Sequence, residues 1–439
     1  MLEIIKSLSE KLNESAPELR KLDLYWRGTQ PAAYLSAEAR EALGSNLTGL
    51  AVNFPKLTVT ALAERLNVVG FRAQGDAQEP DNDLWKIWNR NRMDDGAAQA
   101  HVDALVYGRS FVMVWAGPRG PQITVESAHQ VAVRHDPVSH QVTAAFKRWA
   151  ANGEAHGVLY LADEILTYRS TSNVTDGAFP TTNWELVERL TNPLGVVPVV
   201  PIVNRGRLMD LDGVSEMTDI MGLADALNKL SSDALVSSEF YARPRRWATG
   251  LELAEDDDGN VIQPFSDEAG KLWISEDNET KFGQFDGARL DGYSDLISTV
   301  TQQIGALSGL PPHYLGLFGD QPPSADSIRS AEASLVSRAY TLQRIFGNAW
   351  EQVAALVLAV KNGVDPYDVE LVTVWNSPET RTPAQAADAA VKLKTMGVPL
   401  SIVLEDTLGY SPAQIERVQI AQRTEALNAS GVDLSELAQ

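Results

Sequence analysis

The sequence contains no cysteine in 439 residues, which excludes disulfides, thiolate nucleophiles, iron–sulfur clusters and cysteine-ligated zinc, and fits folding in a reducing compartment. Positive charge is scarce as well. Lys and Arg number 37 against 58 Asp and Glu, a formal net charge of −21, the opposite of a surface that grips phosphates everywhere. No run approaches the roughly 18 consecutive apolar residues of a bilayer span. Met1 to Asn13 alternates apolar with charged residues and so does not resemble a signal segment. These features predict a soluble intracellular chain with no membrane partner.

Catalytic text is equally sparse. There is no Gly-x4-Gly-Lys-Ser/Thr loop, Gly-x-Gly-x-x-Gly turn, Gly-x-Ser-x-Gly elbow or His-Glu-x-x-His helix, so neither an enzyme nor a cofactor is expected. His129, His135 and His140 fall close together, but a metal site there would need a converging carboxylate and a favourable turn, and hairpin histidines facing solvent are the expected reading. Asp256-Asp257-Asp258-Gly259-Asn260 lacks the alternating ligands and the closing Glu of a calcium loop. Tyr241 to Trp247 mixes arginines with aromatics, as a base-stacking surface would, but a helix C-terminus whose arginines meet the dipole and neighbouring acids is the favoured reading.

What is present is an ordered series of patterns. Leu2, Ile5, Leu8 and Leu12 mark a helix face, followed by Tyr25-Trp26-Arg27-Gly28, read as an aromatic turn. Val59, Leu62, Ala63 and Leu66 mark a second helix, which runs into a short strand at 67–72. Asp83 is the expected cap of a third helix. Between about 96 and 205 the period becomes strand-like at 110–115, 122–125, 131–133, 142–146, 157–161 and 165–168, with turn residues between. Prolines keep 192–201 out of any central strand.

Leu211 to about Tyr241 reads as one long helix. Residues 251–290 carry eleven acidic residues against three basic and read as a small acidic module containing β structure. A helix at 293–307 stops at Gly309-Leu310-Pro311-Pro312. After a Gly- and Pro-rich loop, Ser324 caps the longest helix, running to about Lys361, where Ile328, Leu335, Leu342, Ala349 and Leu356 recur at seven; such a rod spans on the order of 55 Å. A strand at 370–375 follows. Two helices then open on capping boxes, Thr382-Pro-Ala-Gln385 and Ser411-Pro-Ala-Gln414. The fold class expected is α+β.

This order of elements resembles the portal proteins of tailed bacteriophages, especially siphophages of actinobacteria. Tyr25-Trp26-Arg27-Gly28, Leu50-Ala-Val-Asn53, Ala63-Glu-Arg65 to Arg72, Ser308 to Gly316, Pro323 to Glu332 and Phe346-Gly-Asn-Ala-Trp350 look like that family's text. The resemblance implies a portal fold: an α/β wing at 1–205, stem helix 1 at 206–241, a small β-containing clip at 242–288 and stem helix 2 at 289–310. A tunnel loop follows at 311–323, the long wing helix and strand at 324–380 and a helical crown at 381–439.

It implies a structural protein of the virion, assembled in the host cytoplasm as a dodecameric homo-oligomer at one capsid vertex. Double-stranded DNA would be packaged and ejected through its channel. The terminase large subunit and then a head–tail adaptor would dock at the clip, and major capsid or scaffolding protein at the wing. On this anatomy Tyr314, Leu317, Phe318 and Gln321 are expected to touch DNA. Glu255, Asp256, Asp257 and Asp258 are the expected partner contacts of the clip. Met217, Met221 and Leu296 are candidates for a lateral stem seam, with packing of the two helices within one chain as the alternative. Two other classes remain in view: a capsid-associated adaptor or scaffold, and a metal-dependent nuclease built on converging carboxylates.

Overall fold

A computed structural model describes residues 1–31, 33, 52–73, 82–174, 178–242, 246–250, 279–284, 290–317, 324–380, 383–410 and 412–429. The chain divides into two units: Met1–Gln30, Asn53–Met221 and Gly305–Gln439 form the first, Pro31–Val52 and Gly222–Ile304 the second. Every strand pair described is antiparallel, and the helices do not alternate with strands as crossovers, which makes the fold α+β.

The first unit opens with α1 (Leu2–Arg27). Its apolar stripe, Ile5, Leu8 and Leu12, is buried against Phe146, Leu159, Leu166 and Trp184 of a five-stranded sheet. That sheet runs in the order β4 (Val131–His135), β5 (Val142–Ala151), β6 (Glu154–Tyr160), β7 (Glu164–Asn173), β8 (Trp184–Thr191). Gly157 is required in β6: a Cβ there would stand 2.5 Å from the Phe146 ring. The expected turn at Tyr25–Gly28 is instead the last turn of α1, which Gly28 closes in the left-handed conformation at φ 69°.

A second sheet places β2 (Arg109–Gly117) between β3 (Gly120–Ser127) and β9 (Val199–Val203). Pro201 sits on β9, an edge strand, where a missing N–H is tolerated. The strand-like text of this region hides one helix, α4 (Met93–Tyr107), whose buried face mixes the small residues Ala97, Ala100 and Ala104 with Met93, His101 and Leu105.

A third core forms around the longest helix. After α2 (Phe54–Ala63), capped by Asn53 Oδ1 accepting from the Lys56 N–H at 3.0 Å, β1 (Val68–Ala73) leads to α3 (Asn82–Arg90). Asp83 lies inside the first turn of α3 and does not cap it; its carboxylate meets Lys86 and Lys361 instead. The long helix is α7 (Ala325–Asn362), with Ser324 Oγ accepting from the Ser327 N–H at 3.2 Å and Gly363 closing it at φ 70°. Its 38 residues present Leu335, Ala339, Leu342, Phe346, Trp350 and Val353 as a buried face.

Phe71, Trp88, Trp350, His101 and Phe346 interlock there, with ring centroids 5.1–5.7 Å apart. β12 (Leu371–Trp375) pairs with β1 beside them. The helices α8 (Pro383–Thr395), α9 (Leu400–Asp406) and α10 (Pro412–Ala429) complete the described C-terminal part. The capping residues Thr382 and Ser411 lie outside the described residues.

The second unit holds most of α5 (Met221–Ala242) and α6 (Asp291–Ser308), and the two-stranded sheet of β10 (Arg246–Thr249) and β11 (Lys281–Gln284). Ser237 Oγ donates to Tyr293 Oη at 3.3 Å, joining the two helices. Trp247 lies over Gly283, where a side chain would strike its ring. The mixed segment 241–247 is therefore a helix end and a strand start, with Arg243 to Arg245 outside the described residues.

The helix expected from Leu211 begins only at Met221. Residues 204–216 instead spend their backbone on the body: Asn204 N–H donates to Gly108 O at 2.8 Å, Val214 N–H to Asn204 O at 3.0 Å and Glu216 N–H to Leu105 O at 2.9 Å. Gly213, at φ 74°, approaches Gly108 so closely that a Cβ would collide with its carbonyl. These tertiary bonds override the helical periodicity.

Burial holds the His101 imidazole neutral, with its pKa lowered to about 3. Nε2 accepts from Trp350 Nε1 at 2.8 Å, so the ring proton sits on Nδ1. The unfolded state takes a proton near pH 6.5 and the native state does not, so this contribution is complete above pH 6.5 and lost as pH falls towards 3. Between pH 7 and 5 the chain should lose on the order of 2 kcal/mol of stability from this group. Urea titrations of wild type and His101→Gln, which keeps an acceptor for Trp350, check it: the variant should show a shallower loss, and identical pH profiles would contradict the assignment.

Candidate functional site

The expected DNA-contacting loop is described at its root, residues 310–317. The root is built by the end of α6. Ser308 closes the helix and Gly309 turns the chain at φ 68°. Pro311 and Pro312 pre-set the backbone for a short 3-10 turn, Pro312–Leu315. Gly316 at φ 71° ends that turn, and Leu317 N–H donates back to Pro312 O at 3.0 Å. Leu315 is buried against Gly305 of α6, where a Cβ would stand 2.5 Å from its methyl.

Two arginines fasten this root to the body. Arg65, at the end of α2, donates from Nη2 to the Tyr314 hydroxyl at 3.2 Å and from Nη1 to Ala61 O at 3.0 Å. The same guanidinium stands 3.7 Å from Glu332 of α7, with both side chains less than a tenth exposed. His313 Nε2 lies 3.5 Å from the same carboxylate. Lower on α7, Arg338 donates to Ser308 O and to the Glu216 carboxylate. Glu216 in turn accepts from Asn204 Nδ2 at 3.0 Å. Gln343 completes the frame, donating to Arg65 O at 2.9 Å and Asn376 O at 3.0 Å.

The loop root is thus clamped by a buried ion pair on one side and a partly exposed one on the other, and the long helix carries the clamp. Tyr314 is half-buried and its hydroxyl is engaged by Arg65, so it acts as a fastening of the loop. Leu317, half-buried, is the last described residue before 318–323, and Phe318 and Gln321 lie outside the described residues, as do Glu255, Asp256, Asp257 and Asp258. Met217 and Met221 are buried within the chain, 0% and 6% exposed, whereas Leu296 is 52% exposed. Of the three seam candidates only Leu296 presents a free apolar side chain.

Neither Glu332 nor Arg338 was singled out from the sequence, although a signal was there. Glu332 lies four residues after Ile328 and three before Leu335, and Arg338 three after Leu335 and four before Leu342. Both charges therefore fall on the apolar stripe of α7, and a charge in such a stripe needs a buried partner.

The three clustered histidines separate. His129 packs edge-on against Tyr107 at 5.0 Å, and burial lowers its pKa. Burial likewise lowers His135 on β4, while His140 sits exposed in a turn at φ 58°. Among the described residues no group of three or more His, Asp or Glu side chains could hold a metal ion, and no helix is long and apolar enough to cross a membrane.

Breaking one partner of a buried ion pair leaves the other charge stranded. Arg65→Met should lower unfolding free energy by roughly 3 kcal/mol, and Tyr314→Phe by about 1.5 kcal/mol. The double variant Arg65→Met/Glu332→Leu should recover part of the first loss. Urea denaturation of these proteins together with the Glu332→Leu single variant checks this, and strictly additive losses would show that Arg65 and Glu332 are not coupled.

Comparison with known proteins adds a second line of observation. The model of the phage portal protein family, SPP1 Gp6-like, matches residues 5–425. A portal protein of Mycobacterium phage D29 is 34% identical over 403 residues, covering 87% of this chain and 80% of the relative. That of Mycobacterium phage L5 is 32% identical over 405 residues with the same coverage. Among solved structures, a chain from the neck of an empty gene transfer agent particle, computed with C6 symmetry, superposes with a TM-score of 0.48 at 15% identity, over 84% of this chain and 91% of that one. A chain from the virion of the native particle gives 0.45 at 15% identity, over 85% and 92%.

Proposed function

The chain belongs to the SPP1 Gp6-like phage portal protein family, and from that premise we propose that its copies close into a ring through which double-stranded DNA enters and leaves a phage head. The observation that carries this reading is the continuous similarity, 34% identity over 403 residues, to a protein named as a portal. The family is structural, and no catalysis is proposed.

The chemistry of the chain suits a conduit. Each phosphate neutralised by Lys or Arg adds affinity and releases counterions, which would hold DNA in place. A protomer of charge −21 repels the duplex at short range, and screening confines that repulsion to about 8 Å at physiological salt. DNA can then be held off the wall while the loop at 311–323 touches it. We assign that contact to Leu317, Phe318 and Gln321, apolar or uncharged side chains that touch without ionic grip, carried on the root that Arg65 and Arg338 clamp.

On the same reading residues 1–205 and 324–380 are the wing, 206–241 and 289–310 the stem, 242–288 the clip and 381–439 the crown. The separation of Gly222–Ile304 into its own unit supports a distinct stem and clip. The acidic residues Glu255 to Asp258 are the proposed docking charge for the terminase large subunit and later the adaptor; capsid or scaffold would meet the wing. Leu296 is the proposed stem contact between neighbours. Assembly would take place in the host cytoplasm, and the ring would stay in the virion.

The loop assignment is tested by packaging with Phe318→Ala/Gln321→Ala protein. Ring assembly should be unchanged while DNA retained per head falls several-fold; full retention would remove the loop from the contact. Duplex binding to the assembled wild type should be weak, with a log–log salt slope shallower than about −2. A slope near −6 would mean a wall of cations and contradict the repulsive channel.

A further inference from the structure

The turn between β9 and α5 displays an apolar pair to solvent: Leu208 is 90% and Met209 85% exposed. This is not a loose tip. Asp210 N–H donates to Arg207 O at 3.2 Å, Leu211 N–H to Met209 O at 3.0 Å and Gly213 N–H to Asp210 O at 3.0 Å. The base is tied to the start of β2 by Arg109 Nη1 donating to Asp212 O at 3.1 Å, and by Asn204 Nδ2 donating to Val214 O at 2.8 Å. Asp212 is also held by Lys11 at 2.7 Å. A folded frame thus holds two large apolar side chains where its own chain does not cover them.

The same unit carries an apolar groove of about 960 Å³ where the ends of the two sheets meet the C-terminal end of α7. Trp115, Tyr160, Ile165, Leu190, Val360 and Val364 are among its walls, with Leu190 51% and Val364 41% exposed. Groove and knob lie at opposite ends of β9. Pro198, just before the strand, lines the groove, whereas Leu208 follows the strand's other end. At about 3.3 Å per residue, 198 to 204 separates them by on the order of 20 Å, so the knob of one chain does not reach its own groove.

Charge agrees with apolar shape. Arg205 and Arg207 precede the knob and Asp210 follows it; Asp212, a second acid at its base, is already held by Lys11 and Arg109, which leaves the knob with a net positive charge. Asp365, in the turn after α7, lines the groove, and Asp368 and Glu370 follow it in the sequence.

We infer that the Leu208–Met209 knob of one copy seats in the Trp115–Val364 groove of the next. Such a contact joins two different patches, so it is heterologous, and heterologous contacts generate rings when the rotation closes. The inference rests on the ring reading above and names the surface that would make it.

The absence of native cysteine makes the test free of background. Leu208→Cys, Val364→Cys and the double variant are purified as full chains, imaged, and treated with a short bis-maleimide. The double variant should give a ladder of covalent multimers on denaturing gels, and neither single variant should. Rings that yield no ladder overturn the knob-and-groove contact and leave the ring reading standing. Dimers from Leu208→Cys alone would mean that knob meets knob, and also overturn it. No rings and no ladder would remove both. As a second readout, Leu208→Asp/Met209→Asp should reduce the ring fraction roughly tenfold with an unchanged urea midpoint, because neither side chain is buried in the protomer; undiminished rings would contradict the inference.

Discussion

The long helix is the element on which the rest of the structure depends, and its seating is decided at one buried contact. Trp350 Nε1 donates to His101 Nε2 at 2.8 Å inside a cluster of aromatic rings. The bond satisfies the indole N–H, which would be costly to bury unpaired, and it fixes the rotation of α7 about its axis. Once that rotation is set, Glu332 faces Arg65 and Arg338 faces Glu216 and Ser308. The loop root, the end of α6 and the segment leading into α5 are all referred to one rod. A shift of α7 by a single residue would turn each charge about 100° away from its partner.

That arrangement separates two physical demands. The body must hold a loop root firmly, which is done with buried, partnered charge and prolines. On the proposed reading the surface must avoid binding a passing polyanion, and the excess of acidic residues, a net charge of −21, suits that demand. Among the described residues, Arg65, Arg109, Arg338, Lys147 and Lys361 sit within ion-pair distance of carboxylates. Arg148 is a different case, buried with no described carboxylate partner. It donates to Ser9 O and Oγ and stacks over Phe179, 4.6 Å from that ring.

Much of this was legible in the sequence because local signals and tertiary packing agreed. The Ser324 cap and the seven-residue recurrence gave α7 its start and its buried face. Alternation between turn residues gave β2 to β7. Where the two disagreed, the reading failed for identifiable reasons. α4 buries Ala97, Ala100 and Ala104, residues too small to make a stripe. β8 buries only Trp184, and its other residues face solvent, so no alternation marks it. Residues 211–220 carry helical spacing, but their backbone is committed to β2 and α4 through Asn204, Gly213 and Glu216. At the site, Tyr314 reads as an exposed aromatic in a loop, and only the long-range approach of Arg65 reveals it as a fastening. Glu332 and Arg338 were visible as charges in an apolar stripe, and their ion-pair partners Arg65 and Glu216, more than a hundred residues away, were not.

The central claim is that this acidic, cysteine-free chain builds a ring around a DNA path. Negative-stain electron microscopy of the purified full chain, with mass photometry of the same sample across a concentration series, tests it most directly. The account predicts end-on views of about twelve subunits around an open centre, with a mass to match. A compact dimer without a channel at every concentration would contradict it.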